Sequence, residues 1–217
     1  MCGRYQLLED QDIDEINKII AEVQSKVSSS NEDAYLSKNE NVNLSKSVKF
    51  GEIFPTNRAP ILVGTNIKND RAARVEVMHW GFQMGKSLII NARSETANDK
   101  RMFKQPLSNN RCVIPSTGFF EWTKSGKPKE KFLFNQPGRR MLYMAGVSAK
   151  YRVKGGDIPE DCYVILTRDA NRYMADVHNR MPVILDEEEI NLWLTDINFV
   201  QFALNRDTIV LERKPAG

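Results

Sequence analysis

From Val48 onward, short apolar runs alternate with turn-forming residues, and this alternation restricts the possible folds more than any other feature of the sequence. Runs of about four to eight residues rich in β-branched and aromatic side chains, bounded by Gly, Pro, Asn or Asp, are typical of strands. The predicted strands are CGRYQ at the chain start and APILVG, RVEVMHWGF, KSLIINAR, RCVIPSTGFFEW, EKFLFN, MLYMAGVSA, CYVILTR and TIVLERK. Their spacing is too irregular for repeated βαβ units. We therefore expect one α+β domain over residues 1–217, with a curved, mostly antiparallel sheet or barrel-like core.

Several short helices are expected around this sheet. In DIDEINKIIAEVQSKV the apolar residues recur every three or four positions, which predicts a helix with one buried face. SETANDKRMFKQPL, with Ser94 or Thr96 as cap, RDANRYMADVH and DEEEINLWL are predicted as further helices. Residues 28–47 are polar and nearly free of large apolar side chains, so they are expected to form a loop insertion rather than a domain boundary.

Composition excludes some classes of protein and leaves the function open. Of 217 residues, 41% are hydrophobic, yet no apolar run approaches the roughly 20 residues that span a bilayer. The chain start lacks the apolar segment of a signal peptide, so no membrane association and a cytoplasmic location are expected. Three scattered cysteines (Cys2, Cys112 and Cys162) and two histidines favour neither a disulfide framework nor a metal site, and no cofactor is expected. A net charge of +3 permits nucleic-acid binding without arguing for it.

The chain start, MCGRY, contains a residue that could be unusually reactive. If Met1 is removed, Cys2 has a free α-amine and a thiol, whose ordinary pKa values are about 8 and 8.5. Such an aminothiol condenses with an aldehyde to a Schiff base, and the thiol then closes a thiazolidine ring in an intramolecular step. The alternative is a cysteine that is buried as a small apolar residue beside the first strand.

Three further stretches contain polar residues suited to catalysis. In LIINARSET, Asn91 and Arg93 share one face of a strand, where they could orient a substrate and bind phosphate. In GFFEW, Glu121 stands among aromatic rings, which partly desolvate a carboxylate and suit it to acid–base work. In ADVHNRMPVIL, His178 ends a predicted helix and Arg180 follows. The alternatives are a polar strand end, an exposed glutamate, a helix-terminal histidine and a surface arginine.

The segments MCGRY, NARSET, GFFEW and HNRMPVIL, in this order, resemble the SRAP family (SOS-response-associated peptidase). MHWGF and FPTNRAP also resemble family elements. The resemblance implies a DNA-damage sensor that recognises abasic sites in single-stranded DNA. After loss of Met1, Cys2 would form a covalent thiazolidine with the ring-opened sugar and shield the lesion.

The resemblance also implies roles for individual residues. Asn91 would position the terminal residue, Glu121 would move protons, and His178 would assist Schiff-base chemistry. Trp80 could stack on a base, although a core tryptophan is the alternative. The residues implied in DNA binding are Arg4, Pro55, Trp80, Gly81, Arg93 and Arg180. Single-stranded DNA containing abasic sites is the implied partner, and the protein is expected to act as a monomer, at the nucleoid when bound to DNA.

Two other functions remain open from the sequence. Cys2, Glu121 and His178 could form a cysteine peptidase that removes its own Met1. Alternatively, the arginines and Trp80 could bind single-stranded DNA without covalent chemistry. A Schiff-base lyase that cuts the strand at the lesion is a variant of the leading hypothesis.

Overall fold

The computed structural model describes residues 2–10, 13–33, 48–64, 73–124, 128–206 and 209–216, and strands predominate in them. The strands are β1 (Tyr5–Leu7), β2 (Gly51–Ile53), β3 (Arg58–Gly64), β4 (Ala73–Trp80), β5 (Phe82–Met84), β6 (Ser87–Ile89), β7 (Asn91–Arg93), β8 (Arg111–Ser116), β9 (Gly118–Trp122), β10 (Lys131–Asn135), β11 (Leu142–Arg152), β12 (Pro159–Asp169), β13 (Arg180–Pro182), β14 (Ile184–Leu185) and β15 (Glu212–Pro215). The helices are α1 (Asp14–Asp33), α2 (Ser94–Ala97), α3 (Arg101–Asn109), α4 (Ile190–Thr195) and α5 (Ile197–Asn205).

Five long strands close into a barrel. β12 pairs with β4, β4 with β3, β3 with β8, β8 with β11, and β11 pairs back with β12. The β12–β4 and β12–β7 pairs are parallel, and the other strand pairs are antiparallel. A second sheet has the order β15-β10-β9-β1-β2, and β5 and β6 form a hairpin. The predicted α+β fold with a mostly antiparallel, barrel-like core is confirmed.

Helix α1 covers part of this barrel with its apolar face. Ile16, Ile19 and Val23 recur at helical spacing and are buried, as the sequence predicts, and the helix packs against β4. The helix extends to Asp33, six residues beyond the predicted end, so the first part of the predicted 28–47 insertion is helical. Residues 34–47 lie outside the described part of the chain.

Two helix predictions need correction. The segment predicted as one helix over 94–107 forms α2 and α3, with Arg93 and Lys100 as N-caps and no side-chain capping bond, so neither Ser94 nor Thr96 acts as the cap. The segment 168–178 ends strand β12 and continues as hydrogen-bonded turns instead of a helix. The cause is Asn171, whose side chain accepts from the amide of Tyr173 at 3.1 Å and donates to the carbonyl of Ile209 at 2.7 Å. An asparagine side chain that binds nearby backbone competes with helix formation.

The helices near the carboxyl end are partly as predicted. DEEEINLWL forms a 3₁₀ turn at Glu187–Glu189 and then α4, and Asp186 and Glu189 form a capping box. Helix α5 follows α4, and Asp196 caps it by accepting from the amide of Asn198 at 2.8 Å. No helix in the described residues is both long and apolar enough to cross a membrane.

The chain start is held inside the molecule because β1 lies between β2 and β9. Tyr5 pairs with Ile53 on one side and with Phe119 on the other. Its hydroxyl lies 2.7 Å from the hydroxyl of Tyr163 on β12, so a buried hydrogen bond joins the second sheet to the barrel. This double attachment fixes the residues that precede Tyr5.

Candidate active site at the chain start

Cys2 is fully buried and its backbone is held from the barrel side. The Asn91 side chain, at the start of β7, donates from Nδ2 to the Cys2 carbonyl at 2.9 Å. The Cys2 Sγ lies 3.7 Å from the carbonyl oxygen of Arg4. Burial raises the pKa of the Cys2 thiol well above its ordinary value, and the negative charge of Glu121 acts in the same direction. The thiol is therefore protonated at neutral pH.

Glu121 and His178 share this electrostatic environment. Glu121 lies on β9, opposite Phe132 of β10, and only 4% of its surface is exposed. Burial lowers the pKa of His178, and the charge of Glu121 opposes that shift. The charge of Glu121 affects the pKa values of both Cys2 and His178, and Asn91 binds the Cys2 backbone. The structure therefore brings together four residues from four separate stretches of the chain.

The imidazole of His178 lies against the backbone of Arg180. Its Nδ1 is 3.0 Å from the amide nitrogen of Arg180, which donates to it in one tautomer of the ring. The same Nδ1 is 3.2 Å from the carbonyl oxygen of Arg180, to which it donates in the other tautomer. Both contacts hold the ring beside the start of β13.

Arg180 itself does not lie free at the surface, which corrects the expectation of a phosphate-binding fork. The residue is 7% exposed, and Nη1 contacts Glu95 at 2.7 Å and Asp169 at 2.6 Å. Its Nη2 donates to the other oxygen of Glu95 at 2.8 Å and to the carbonyl of Thr167 at 2.6 Å. The sequence could not predict this network because Glu95, Asp169 and Thr167 are far from Arg180 along the chain or belong to other strands. The guanidinium instead joins β13, and with it His178, to β12 and α2.

Arg93 and Arg4 remain available to a ligand to different degrees. Arg93 is exposed at the end of β7, two residues after Asn91. Arg4 is half-buried: its guanidinium carbon lies 4.1 Å from the ring centre of Phe54 and 5.0 Å from that of Trp122. Its Nη1 also contacts Glu52 at 3.2 Å.

The aromatic and charged neighbours of Arg4 form a surface that sequence reasoning missed. Lys131 Nζ contacts Glu52 at 2.7 Å and lies over the rings of Phe120 and Trp122, at 4.1 Å and 5.8 Å. Phe54 is 38% exposed. The sequence did contain a signal for this surface, because Trp122 lies in the GFFEW motif and Phe54 immediately precedes Pro55. The cations and aromatic rings come from β9, β10 and the residue after β2, so they become neighbours only in the folded sheet.

Trp80 and Gly81 have structural roles that replace the predicted contact with a base. Trp80 is 0% exposed, and its Nε1 donates to the carbonyl of Ile90 at 3.0 Å. Its ring stacks on Tyr163 and lies 5.2 Å from the ring centre of Tyr5. No face of Trp80 is open to a stacked base, so the core alternative is correct. Gly81 has a φ of +118°, and a Cβ there would lie 2.7 Å from a Leu88 methyl carbon.

Pro55 lies in a tight turn, Phe54–Asn57, and is half-buried beside the exposed Phe54. Thr56, the next residue, has a φ of +75°, which is rare for a β-branched residue. Among the described residues, no group of three His, Cys, Asp or Glu side chains could hold a metal ion.

Comparison with known proteins identifies the family of this chain. The family model described as SOS response associated peptidase (SRAP) matches residues 1–206. The chain belongs to the SRAP family. The resemblance expected from the sequence motifs is thus confirmed over nearly the whole chain, and the site around Cys2 includes residues from all four of those motifs.

Several relatives have related names. Abasic site processing protein YoqW of Bacillus subtilis is 32% identical over 180 residues, which cover 76% of this chain and 80% of that protein. Abasic site processing protein YedK of Escherichia coli is 29% identical over 147 residues, which cover 64% of this chain and 65% of that protein. Abasic site processing protein HMCES of Gallus gallus is 34% identical over 48% of this chain, which matches 37% of that longer protein. A solved structure of a Bordetella bronchiseptica protein shares the fold, with a TM-score of 0.70, 20% identity and complete coverage of both chains.

Proposed function

We propose that this protein processes abasic sites in single-stranded DNA by forming a covalent thiazolidine through Cys2 after Met1 is removed. The observation that supports it best is the convergence of Asn91, Glu121 and His178 on a buried Cys2. The names of the SRAP relatives support an abasic site as the substrate class. The covalent step rests on the chemistry of an N-terminal cysteine.

The reaction conserves all atoms and needs no oxidant or reductant. The amine of Cys2 attacks the sugar aldehyde, and the resulting carbinolamine loses one water to give an imine. The thiol then adds to the imine carbon, and the thiol proton is transferred to the imine nitrogen. Because the pKa of the Cys2 thiol is raised, the thiol needs a nearby base for ring closure, and the Glu121 carboxylate can accept that proton.

His178 and Asn91 suit the earlier steps. In the tautomer in which the Arg180 amide donates to Nδ1, neutral His178 has its ring proton on Nε2 and can donate it as a hydrogen bond to the aldehyde oxygen and then to the hydroxyl that leaves as water, because an uncharged imidazole can polarise a carbonyl. Asn91 fixes the Cys2 carbonyl and therefore the direction of the amine. Its Oδ1 is buried and has no hydrogen-bond partner in the described structure, which leaves an acceptor for the freed amine.

The peptidase alternative is less well supported by the site. A cysteine peptidase uses a thiolate nucleophile, usually with a lowered pKa, next to a base. Here burial and Glu121 raise the pKa of the Cys2 thiol. This environment favours a reaction that begins at the amine.

The test is incubation of protein lacking Met1, checked by intact mass, with an oligonucleotide containing one abasic site. We expect a species that is retarded on a denaturing gel and has the summed mass less one water. Cys2→Ala should give no stable adduct, whereas Cys2→Ser should give an imine that only borohydride traps. Absence of an adduct with wild-type protein would overturn the proposal, and so would a stable adduct with Cys2→Ala.

The same gel separates the alternatives. A shortened strand would indicate lyase activity at the Schiff base. Equal binding of intact and abasic strands by the wild type and by Cys2→Ser, with no adduct, would instead indicate a non-covalent binder.

A further inference from the structure

A second group of interacting polar side chains lies across the ends of three barrel strands. Arg58 on β3 and His79 on β4 are paired in register, and Arg58 Nε donates to His79 Nε2 at 2.9 Å. The Arg58 guanidinium also forms an ion pair with Glu160 on β12, whose carboxylate lies 3.3 Å from His79 Nε2. None of these residues contributes to the chemistry described above.

This group contacts the strained Phe54–Asn57 turn. The amide of Thr56, the residue with a φ of +75°, donates to the carbonyl of Trp80 at 2.9 Å, and the amide of Trp80 donates to the carbonyl of Asn57 at 2.9 Å. The Asn57 side chain accepts from the amide of Phe54 at 3.0 Å. A backbone conformation of this kind persists only where its surroundings impose it, and such positions are concentrated at functional sites.

The contact with Arg58 determines the tautomer of His79. An arginine Nε–H can only donate, so His79 Nε2 must accept and the ring proton of the neutral form lies on Nδ1. Nδ1 is 3.2 Å from the carbonyl oxygen of Thr56, and with its proton it donates to that oxygen. Arg58 thus gives His79 the tautomer that holds the strained residue.

The Phe54–Asn57 turn also contacts the residues at the chain start. Phe54, its first residue, packs its ring against the guanidinium of Arg4, two residues after Cys2. Pro55 and the exposed part of Phe54 lie on the same turn. A displaced turn would therefore move the aromatic surface beside Arg4 while leaving Cys2, Asn91, Glu121 and His178 in place.

We propose that His79 is a positioning residue, which Arg58 holds in its Nδ1–H tautomer so that it fixes the Phe54–Asn57 turn as part of the DNA-binding face. The link to DNA rests on the proposed function, whereas the tautomer and the turn do not. The charged side chains that contact the ring are those of Arg58 and Glu160, and Cys162 is the register partner of His79 on β12. Burial lowers the pKa of His79, which keeps the ring neutral at neutral pH.

The first test needs no DNA. The chain has two histidines, and long-range ¹H–¹⁵N correlation spectra report the tautomer of each. We expect His79 in the Nδ1–H form, and the signals of His178 serve as the internal control. In Arg58→Met, His79 should change to the Nε2–H form, donating to Glu160, and His178 should not change. Wild-type His79 in the Nε2–H form, or no change in Arg58→Met, would overturn the proposal.

The second test compares His79→Asn with His79→Leu. The Asn side chain can still donate to the Thr56 carbonyl from nearly the same position, whereas Leu fills similar space without a donor. We expect the hydrogen-exchange protection of the Thr56 amide to fall about fivefold in His79→Leu, the effect of one lost hydrogen bond, and to stay near wild type in His79→Asn. Equal protection in the two variants would contradict the positioning role.

The link to function is measured separately. His79→Leu should weaken the apparent affinity for an abasic oligonucleotide about fivefold without changing the maximal cross-linking rate, and His79→Asn should restore the affinity. Wild-type affinity in His79→Leu would overturn the link to DNA. Wild-type protein that forms no adduct would overturn the proposed function, while the tautomer and exchange results still decide the role of His79.

Discussion

At the scale of single residues, burial changes the protonation state or the charge partners of several side chains. Cys2 is enclosed, so its thiol is held in the protonated form and the neighbouring amine becomes the first nucleophile of the proposed reaction. Arg180 is enclosed as well, and its charge is matched by Glu95 and Asp169 instead of by a phosphate. The sequence analysis singled out both residues, but their burial in the folded protein decides what each can do.

Asn91 offers a direct test of positioning at this scale. Asn91→Asp keeps the shape of the side chain but replaces the Nδ2–H donor by a carboxylate oxygen facing the Cys2 carbonyl. We expect single-turnover cross-linking at saturating DNA to slow by about 10- to 100-fold, because a small displacement of a reacting group is costly. DNA affinity, measured with an intact strand, should remain within about twofold. An unchanged cross-linking rate would show that Asn91 does not position Cys2.

At the scale of elements, backbone geometry places the strand that contains Glu121. Strand β9 carries Glu121, and it begins at Gly118, which has a φ of +152°. A Cβ at Gly118 would lie 2.8 Å from the backbone oxygen of Phe134 on the paired strand β10, which cannot move without disturbing the sheet. Gly138 also has a positive φ, +69°, but a Cβ there would meet nothing within 4 Å.

These two glycines form a matched pair. Gly138→Ala should lower the free energy of unfolding by about 1 kcal/mol, the cost of a left-handed backbone with a side chain. Gly118→Ala should lower it by about 3 kcal/mol, because close contact with fixed backbone is added. Urea unfolding of both variants measures the difference. Equal losses would mean that β10 shifts easily and that the close approach does not hold β9 in place.

Local sequence patterns predicted some helices and strands correctly and others wrongly. The apolar periodicity of α1 and the short apolar runs of the barrel strands were strong enough to predict these elements, because α1 buries one face and strands such as β8 are buried on both faces. The helix predicted over 168–178 was wrong because the Asn171 side chain binds the backbone of both its own turn and the distant Ile209. The single helix predicted over 94–107 was wrong because the chain leaves helical geometry between Ala97 and Arg101.

At the scale of the whole molecule, the site depends on the joining of two sheets. Glu121 lies in the second sheet and Cys2 precedes its strand β1, whereas Asn91 and His178 belong to strands and turns that flank the barrel strand β12. The hydrogen bond between Tyr5 and Tyr163 and the packing of Trp80 against both rings hold the two parts together. The stability of the whole fold therefore also maintains the geometry of the site.

Stability should depend on pH in two separate windows. The pKa values of His79 and His178 are lowered by burial, so the unfolded chain takes up these protons first and the free energy of unfolding falls as pH drops below about 6.5. The pKa values of Glu52 and Glu95 are lowered by their partners Lys131 and Arg180, and their contribution is lost only below about pH 4.5. Urea unfolding between about pH 3 and pH 7.5 measures both windows. The variant His79→Gln/His178→Gln should lose that slope and keep the second. A slope that persists in this variant would assign it to other groups.

The sequence by itself determined the strand-rich α+β class, the amphipathic helix α1, the family, and which residues around Cys2 to examine. These conclusions depend on local periodicity and on motifs that lie within a few residues of one another. Only the tertiary structure decided that Trp80 is enclosed, that Arg180 is neutralised by Glu95 and Asp169, and that Arg58 donates to the His79 ring. Exposure, ion pairing and proton position depend on partners tens of residues away, which become neighbours only when the barrel closes and β1 enters the second sheet.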